Sequence, residues 1–142
     1  MAGSVRIGVS GWSYDAWRGR FYPETLARRR QLEYLARRMT TAEINGSFYS
    51  LQRPTSFRRW YEETPQGFIF AVKGSRFITH MKKLHDAGDA LDKMVTGARV
   101  LEGKLGPLLF QLPPRWRVNV GRLEAFLKLI PNDLQVAFEF RD

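Results

Sequence analysis

The chain has 142 residues, of which 44% are hydrophobic and 26% charged, which is enough for one folded domain and unlike a disordered segment. The absence of cysteine excludes disulfide frameworks, thiolate metal sites and thiol nucleophiles. A formal net charge of +9 admits anionic partners, nucleic acid among them. Since no secretory signal and no membrane-length apolar run is visible, we expect a cytoplasmic protein without a membrane partner.

Strand and helix patterns alternate along the whole sequence. Five strands are predicted, at residues 5–11, 41–45, 68–73, 106–112 and 134–140. Four helical patterns separate them, with apolar spacing over residues 32–39, 54–64, 91–98 and 123–130. Asp89 is predicted to cap the third helix. This alternation predicts an α/β fold with a mostly parallel sheet in a single domain, 1–142.

The predicted strands have one large apolar face and one small or polar face. A doubly wound sheet, with helices on both faces, needs apolar residues on both. A TIM-type (β/α) barrel has helices outside only and carries its chemistry at the carboxyl ends of the strands, so we predict a barrel. The side chains expected inside are Gly8, Ser10, Glu43, Asn45, Ala71, Lys73, Gln111, Ala137 and Glu139. Those expected under helices are Ile7, Val9, Phe68, Phe70, Phe110, Val136 and Phe138.

Five short blocks of sequence, in order along the chain, resemble the signatures of one family. They are Gly11-Trp12-Ser13-Tyr14 with Phe21-Tyr22-Pro23; Glu43-Ile44-Asn45 with Ser47-Phe48-Tyr49; Phe68, Phe70, Lys73 and Ile78-Thr79-His80; Leu105-Gly106-Pro107 with Gln111-Leu112-Pro113-Pro114; and Ala137, Glu139 and Arg141. The chain is thereby similar to the YecE-like proteins, for which no reaction is established. The resemblance implies a TIM-type barrel of roughly 250 residues, of which this chain holds about the first five strands and four helices.

Three residues are candidates for catalysis because their side chains exchange protons: Glu43, His80 and Glu139. The two carboxylates end the second and fifth strands, and the imidazole follows the third. The alternative for Glu43 is a structural ion pair with Lys73 or Arg141. The alternative for His80 is an ordinary hydrogen-bonding role in its loop.

Lys73 and Arg141 end the third and fifth strands on the same face. Together they could hold a phosphate or carboxylate, with the arginine supplying two parallel donors. The alternative is that they only compensate the charges of Glu43 and Glu139. Both interpretations stay open on the sequence.

Four aromatic residues fall in two loops that follow strands: Trp12, Tyr14, Phe48 and Tyr49. Aromatic rings at a pocket mouth stack on sugars or nucleobases. The alternative is packing of these rings over the barrel rim. Asn45 and Gln111 are expected to complete the ligand-binding set.

Oxygen and nitrogen ligands for a divalent ion are also present at the strand ends. The set is Glu43, Asn45, His80 and Glu139. Two fixed cations, Lys73 and Arg141, share this edge and oppose a metal ion. We therefore predict no tightly bound metal and no cofactor, with an anion or ordered water near the two cations.

The predicted function is binding of an anionic, ring-bearing ligand at the mouth of the barrel: a sugar phosphate, a nucleotide or a nucleic-acid strand. One alternative is a non-catalytic nucleic-acid-binding module, to which the runs at 28–30 and 37–38 would contribute phosphate contacts unless they form a solvated face. Another is a truncated, inactive barrel fragment. Five strands cannot close a barrel of eight, so we also expect self-association or a missing C-terminal part.

Overall fold

The computed structural model describes residues 3–141 and contains a five-stranded sheet in which each neighbouring pair is parallel. The strands lie side by side in chain order: β1 (Gly8–Ser10), β2 (Thr41–Ile44), β3 (Ile69–Lys73), β4 (Leu105–Gln111) and β5 (Val136–Glu139). Parallel strands require a crossover between each pair, and the intervening helices supply it. The predicted α/β fold and parallel sheet are confirmed.

Helical segments fill the connections between the strands. They are α1 (Gln31–Ala36), α2 (Gly46–Tyr49), α3 (Pro54–Glu62), α4 (Gly88–Ala98) and α5 (Val120–Leu127). Short 3-10 segments span Asp15–Trp17, Arg28–Arg30 and Arg99–Lys104, and Phe77–Met81 is a π-helical turn. The four predicted helices correspond to α1, α3, α4 and α5. The sequence did not predict α2, because a single turn is too short to show an apolar period.

The capping of two helices differs from the sequence expectation. Helix α4 begins at Gly88 with Ala87 at the N-cap position, so the prediction of Asp89 as its cap is wrong. The Asp89 carboxylate lies in the first turn instead, where it favours the positive end of the helix dipole. Helix α5 has a side-chain cap, since Asn119 Oδ1 accepts the backbone N–H of Arg122 at 3.0 Å.

The inner strands bury alternate side chains. The buried set is Ala42, Ile44, Phe70, Val72, Leu108 and Phe110. The residues between them, including Glu43, Ala71 and Lys73, are only partly buried. Since alternation places Phe70 and Lys73 on opposite faces of β3, one face packs under helices and the other carries the polar strand ends, as predicted.

The two edges of the sheet depart from the predicted burial. Ile7 was expected under helices but is 69% exposed, because β1 begins only at Gly8 and pairs on one side alone. At the other edge, Val136 and Phe138 are partly buried. The Phe138 ring stacks on Phe110 with centroids 5.6 Å apart. Burial therefore decreases from the centre of the sheet towards its edges.

Lys104 is a buried cation in the outer layer. Its ammonium donates hydrogen bonds to the carbonyl oxygens of Tyr61 and Thr64, both at 2.6 Å, and to Thr64 Oγ1 at 3.1 Å. Burial lowers the pKa of the Lys104 ammonium. These bonds satisfy carbonyls at the end of α3 and connect that helix to the segment before β4. Over residues 3–141, no helix has the length and apolar character that a membrane crossing requires.

Candidate functional site

The carboxylates at the strand ends are held by neutral partners. Ser10 Oγ donates a 2.7 Å hydrogen bond to Glu43 Oε1 across the β1–β2 pair. Gln111 Nε2 lies 3.0 Å from both carboxylate oxygens of Glu139 across the β4–β5 pair. In each case the parallel register sets the two residues opposite each other, so both contacts follow from strand pairing.

Among residues 3–141, the cations at the same edge have no carboxylate partner. In the part of the chain that the structure describes, neither Lys73 nor Arg141 lies within 4.0 Å of a carboxylate oxygen. The alternative in which Glu43 forms an ion pair with either cation is therefore wrong for these residues. The Lys73 ammonium lies over the Phe48 ring, 4.8 Å from its centroid. Its positive charge is stabilised there by the ring face.

His80 lies in the π-helical turn that follows β3. Its Nδ1 shares a 2.8 Å hydrogen bond with Thr79 Oγ1, and its ring meets Phe48 edge to face with centroids 5.2 Å apart. Burial lowers the pKa of the imidazole, and the positive charges of Arg141, Lys73 and Arg76 lower it further. The lowered pKa favours the neutral imidazole, which can accept a proton or a hydrogen bond.

Three cations, Lys73, Arg76 and Arg141, lie close enough to His80 to lower its pKa, so they share one edge of the sheet. Lys73 ends β3, Arg76 lies just before the π-helical turn, and Arg141 follows β5. Such a convergence creates a positive potential that attracts an anion. Arg76 was not among the candidate residues predicted from the sequence. Its position three residues after a predicted strand end was the available signal.

Two of the predicted aromatic residues serve packing. Trp12 packs edge to face on Trp60, with centroids 5.5 Å apart, and lies 6.2 Å from Phe70. The Tyr14 hydroxyl donates to the carbonyl oxygen of Ser10 at 2.5 Å, at the end of β1. These contacts agree with the interpretation of rim packing and give Phe48 the closest association with the charged edge.

The remaining predicted residues, Asn45 and Tyr49, line two cavities away from the cationic edge. Strand β2 ends at Ile44, and Asn45 has helical backbone angles, φ −90° and ψ −26°, so the strand alternation stops before it. Asn45 lines a cleft of about 340 Å³ with Trp12 and Tyr14. Tyr49 lines a different cavity, of about 590 Å³. The single ligand set expected from the sequence is thus distributed over separate places.

The four side chains considered as a possible ligand set do not come together at one point. Glu43 and Glu139 lie on strands three positions apart, which is roughly 14 Å along the sheet at the usual strand spacing. Among residues 3–141, no three carboxylate or imidazole side chains are grouped so that they could hold a metal ion. The two strand-end carboxylates are thus each hydrogen-bonded to a neutral side chain, and within residues 3–141 neither Lys73 nor Arg141 pairs with a carboxylate.

Three arginines beside α1, Arg30, Arg37 and Arg38, interact with neighbouring side chains of the same helix. Arg30 and Arg37 contact the Glu33 carboxylate at 3.3 and 2.8 Å. The guanidinium of Arg38 lies 3.5 Å from the centroid of the Tyr34 ring. A carboxylate and an aromatic face thus occupy these cations, which favours the interpretation of a solvated helix face.

The sequence profile of the family described as "Protein of unknown function DUF72" matches residues 6–142. The chain belongs to this family. The resemblance to YecE-like proteins is thereby confirmed, since the UPF0759 protein YecE of Escherichia coli K12 is 27% identical over 138 residues, covering 96% of this chain and 48% of YecE. The UPF0759 protein YunF of Bacillus subtilis is 28% identical over 148 residues, covering 97% of this chain and 51% of YunF.

Two solved DUF72 structures share the fold. The crystal structure of a DUF72 family protein from Thermotoga maritima aligns with a TM-score of 0.80 at 28% identity, covering 94% of this chain and 55% of that one. One from Enterococcus faecalis aligns with a TM-score of 0.78 at 18% identity, covering 96% and 50%. The chain thus spans about half the length of the DUF72 relatives it matches. Its five-stranded sheet corresponds to about half of their TIM-like fold.

Proposed function

We propose that this DUF72 protein binds a phosphorylated, ring-bearing ligand at the carboxyl ends of β3 and β5. The observation that carries the proposal is that Lys73 and Arg141 have no carboxylate partner within residues 3–141, although Glu43 and Glu139 lie on the same sheet. Unpaired cations at the edge where barrel enzymes bind their ligands favour an anionic occupant.

Each residue of this edge has a distinct role in the proposal. Lys73, held over the Phe48 ring, supplies a compact positive charge, and Arg141 supplies two parallel donors to phosphate oxygens. The Phe48 ring, packed edge to face on His80, gives an aromatic surface for the ring of the ligand. Arg76 adds to the positive potential.

His80 has a chemical role in the same proposal. Its neutral imidazole would accept a hydrogen bond from a protonated phosphate or take a proton from a ligand hydroxyl group. Glu43 and Glu139, bound to Ser10 and Gln111, remain candidates for proton transfer. Their separation along the sheet argues against both acting on one atom of a small ligand.

The test compares a nucleoside monophosphate with its nucleoside by titration calorimetry. We expect the phosphorylated compound to bind and the nucleoside to bind at least about tenfold more weakly. Lys73→Ala and Arg141→Ala should each weaken nucleotide binding by about tenfold. Lys128→Ala and Arg29→Ala are matched controls, because both residues are exposed and lie on other elements. Equal affinity for both compounds, or equal losses in the controls, would refute the proposal.

Salt dependence separates this proposal from a nucleic-acid-binding module. A pocket ligand with one or two charges should lose little affinity as salt rises. A strand neutralised by many cations should lose about 10³-fold or more between 50 and 200 mM salt. Because Arg30, Arg37 and Arg38 already contact Glu33 or Tyr34, they are less available to a nucleic-acid backbone, which supports binding of a small ligand in the pocket.

A further inference from the structure

A second cavity lies apart from the cationic edge. It has a volume of about 590 Å³ and is lined by side chains of α2 and the loop after it, of α3, of the segment around the π-helical turn, and of the first turns of α4. Outside α4 these are Ser47, Tyr49, Ser50, Leu51, Gln52, Phe57, Ser75, Phe77, Lys82 and Asp86. That volume is typical of sites for small organic ligands. None of Lys73, His80 and Arg141 lines it.

The floor and the rim of this cavity are both apolar. Phe57 and Met94 form the floor and are 3% and 5% exposed. Tyr49 and Phe77 lie at the rim and are 65% and 42% exposed. Two large aromatic side chains are thus exposed to solvent beside a buried apolar floor. This combination favours a ligand with an apolar group.

Charged side chains of both signs also line the cavity: Lys82, Lys93, Asp86 and Asp89. Within residues 3–141, none of the four forms an ion pair within 4.0 Å or a side-chain hydrogen bond, and the Lys82 ammonium lies over the Phe77 ring at the rim, 5.8 Å from its centroid. Asp89 and Lys93 are one helical turn apart on α4, so they project from the same side of the helix. A ligand that carries both an ammonium and a carboxylate group would match these unpaired charges.

The segment 77–86, which contributes Phe77, Lys82 and Asp86 to the cavity lining, has an unusual backbone in two ways. Phe77–Met81 is a π-helical turn, a conformation that is rare and often found at functional sites. Shortly after it, Lys83, Leu84 and Asp86 have positive φ angles of 50°, 64° and 48°. Residues other than glycine adopt such angles at a cost, and they cluster where ligands bind. This observation is independent of the charges.

We propose that this cavity binds a free α-amino acid with an aromatic or large aliphatic side chain. The side chain of the ligand packs on Phe57 and Met94 beneath Tyr49. Its ammonium group faces Asp86 and Asp89, and its carboxylate faces Lys82 and Lys93. The site is independent of the proposed phosphate site, so either can fail without the other.

The test uses three ligands with the same phenethyl skeleton: phenylalanine, which carries both charged groups, phenethylamine, which lacks the carboxylate, and 3-phenylpropionate, which lacks the ammonium group. In titration calorimetry, phenylalanine should bind at least about tenfold more tightly than either singly charged analogue. Asp89→Asn and Lys93→Met should each weaken phenylalanine binding by about fivefold or more. Asp92→Asn is the matched control, because it is exposed on the same helix and does not line the cavity.

Several outcomes overturn this proposal. Equal binding of all three compounds would show an apolar groove with no use for the charges. No binding at millimolar concentration, or an equal loss in Asp92→Asn, would also count against it. Circular dichroism and thermal unfolding establish that each variant is folded. Retained phenylalanine binding in Lys73→Ala and Arg141→Ala would support a separate site, and its loss there would refute the independence of the two.

Discussion

The rings of Phe48 and His80 meet edge to face, with centroids 5.2 Å apart. The Phe48 ring also lies beneath the Lys73 ammonium, so one side chain limits the solvation of an imidazole and supports a cation. Burial is the main cause of the lowered pKa of His80, and the surrounding positive charges act in the same direction. The pKa of His80 therefore reports on this arrangement and can be measured.

We expect the pKa of His80 to lie below its ordinary value of 6.5 and to rise when a phosphorylated ligand binds. A bound anion opposes the effect of the neighbouring cations and favours the imidazolium form. Proton NMR titration of the two histidines, with His85→Gln to assign the signals, measures both values. A His80 pKa at or above 6.5 in the free protein would contradict the described environment.

The same pKa shift sets a pH dependence of stability. Because the folded-state pKa of His80 is lower than the unfolded value, its contribution is complete above about pH 6.5 and is lost as the pH falls towards the folded-state value. The free energy of unfolding from urea titrations should therefore decrease below that pH. In His80→Gln this part of the decrease should disappear, and in His85→Gln it should remain.

Replacement of Lys104 by methionine should destabilise the protein. The variant leaves the carbonyls of Tyr61 and Thr64 without their buried donor, and hydrogen bonds to charged groups contribute about 1.5–3 kcal/mol. We expect a loss of about 2–3 kcal/mol in the free energy of unfolding measured with urea. Lys128→Met is the control, since its exposed ion pair with Glu124 should contribute under about 1 kcal/mol. Similar losses in both variants would argue against a special role for the buried ammonium.

Glycine 106 allows close approach of β4 to β3. A Cβ atom on Gly106 would lie 2.5 Å from Ile69 Cγ2 and 2.8 Å from the Phe70 carbonyl oxygen. Since backbone cannot move aside cheaply, Gly106→Ala should cost about 1–3 kcal/mol in urea unfolding. Gly121→Ala in α5 meets nothing within 4 Å and should be neutral or stabilising by up to about 1 kcal/mol. Equal effects of the two changes would show that the strand contact is looser than described.

The edges of the sheet predict the behaviour of the 142-residue chain in solution. Strands β1 and β5 each have one paired neighbour, and an unpaired strand edge is a template for association. Sedimentation velocity should detect species larger than the 16.5 kDa monomer. Ala137→Lys on β5 should reduce association. Ala125→Lys, at an exposed position of α5, should not. A monodisperse monomer that unfolds cooperatively on heating would contradict this prediction.

The sequence predicted the sheet well because alternation is a local property. The strand pattern around Phe70 and Lys73 is enough to assign both faces of β3. It could not assign Ser10 to Glu43, because that contact depends on the register between β1 and β2. Asn45 was misplaced for a different reason: the strand ends one residue earlier and the chain turns into a one-turn helix.

The order of the strands has a consequence for how the protein folds. Each strand pairs with the segment made just before or just after it, so no strand waits for a distant part of the chain. The sheet can therefore grow one strand at a time from the N-terminus during synthesis, with each new βα unit docking on a completed edge. At each stage of such growth the last completed strand presents an open edge, which is a site for pairing with the next strand or with another chain.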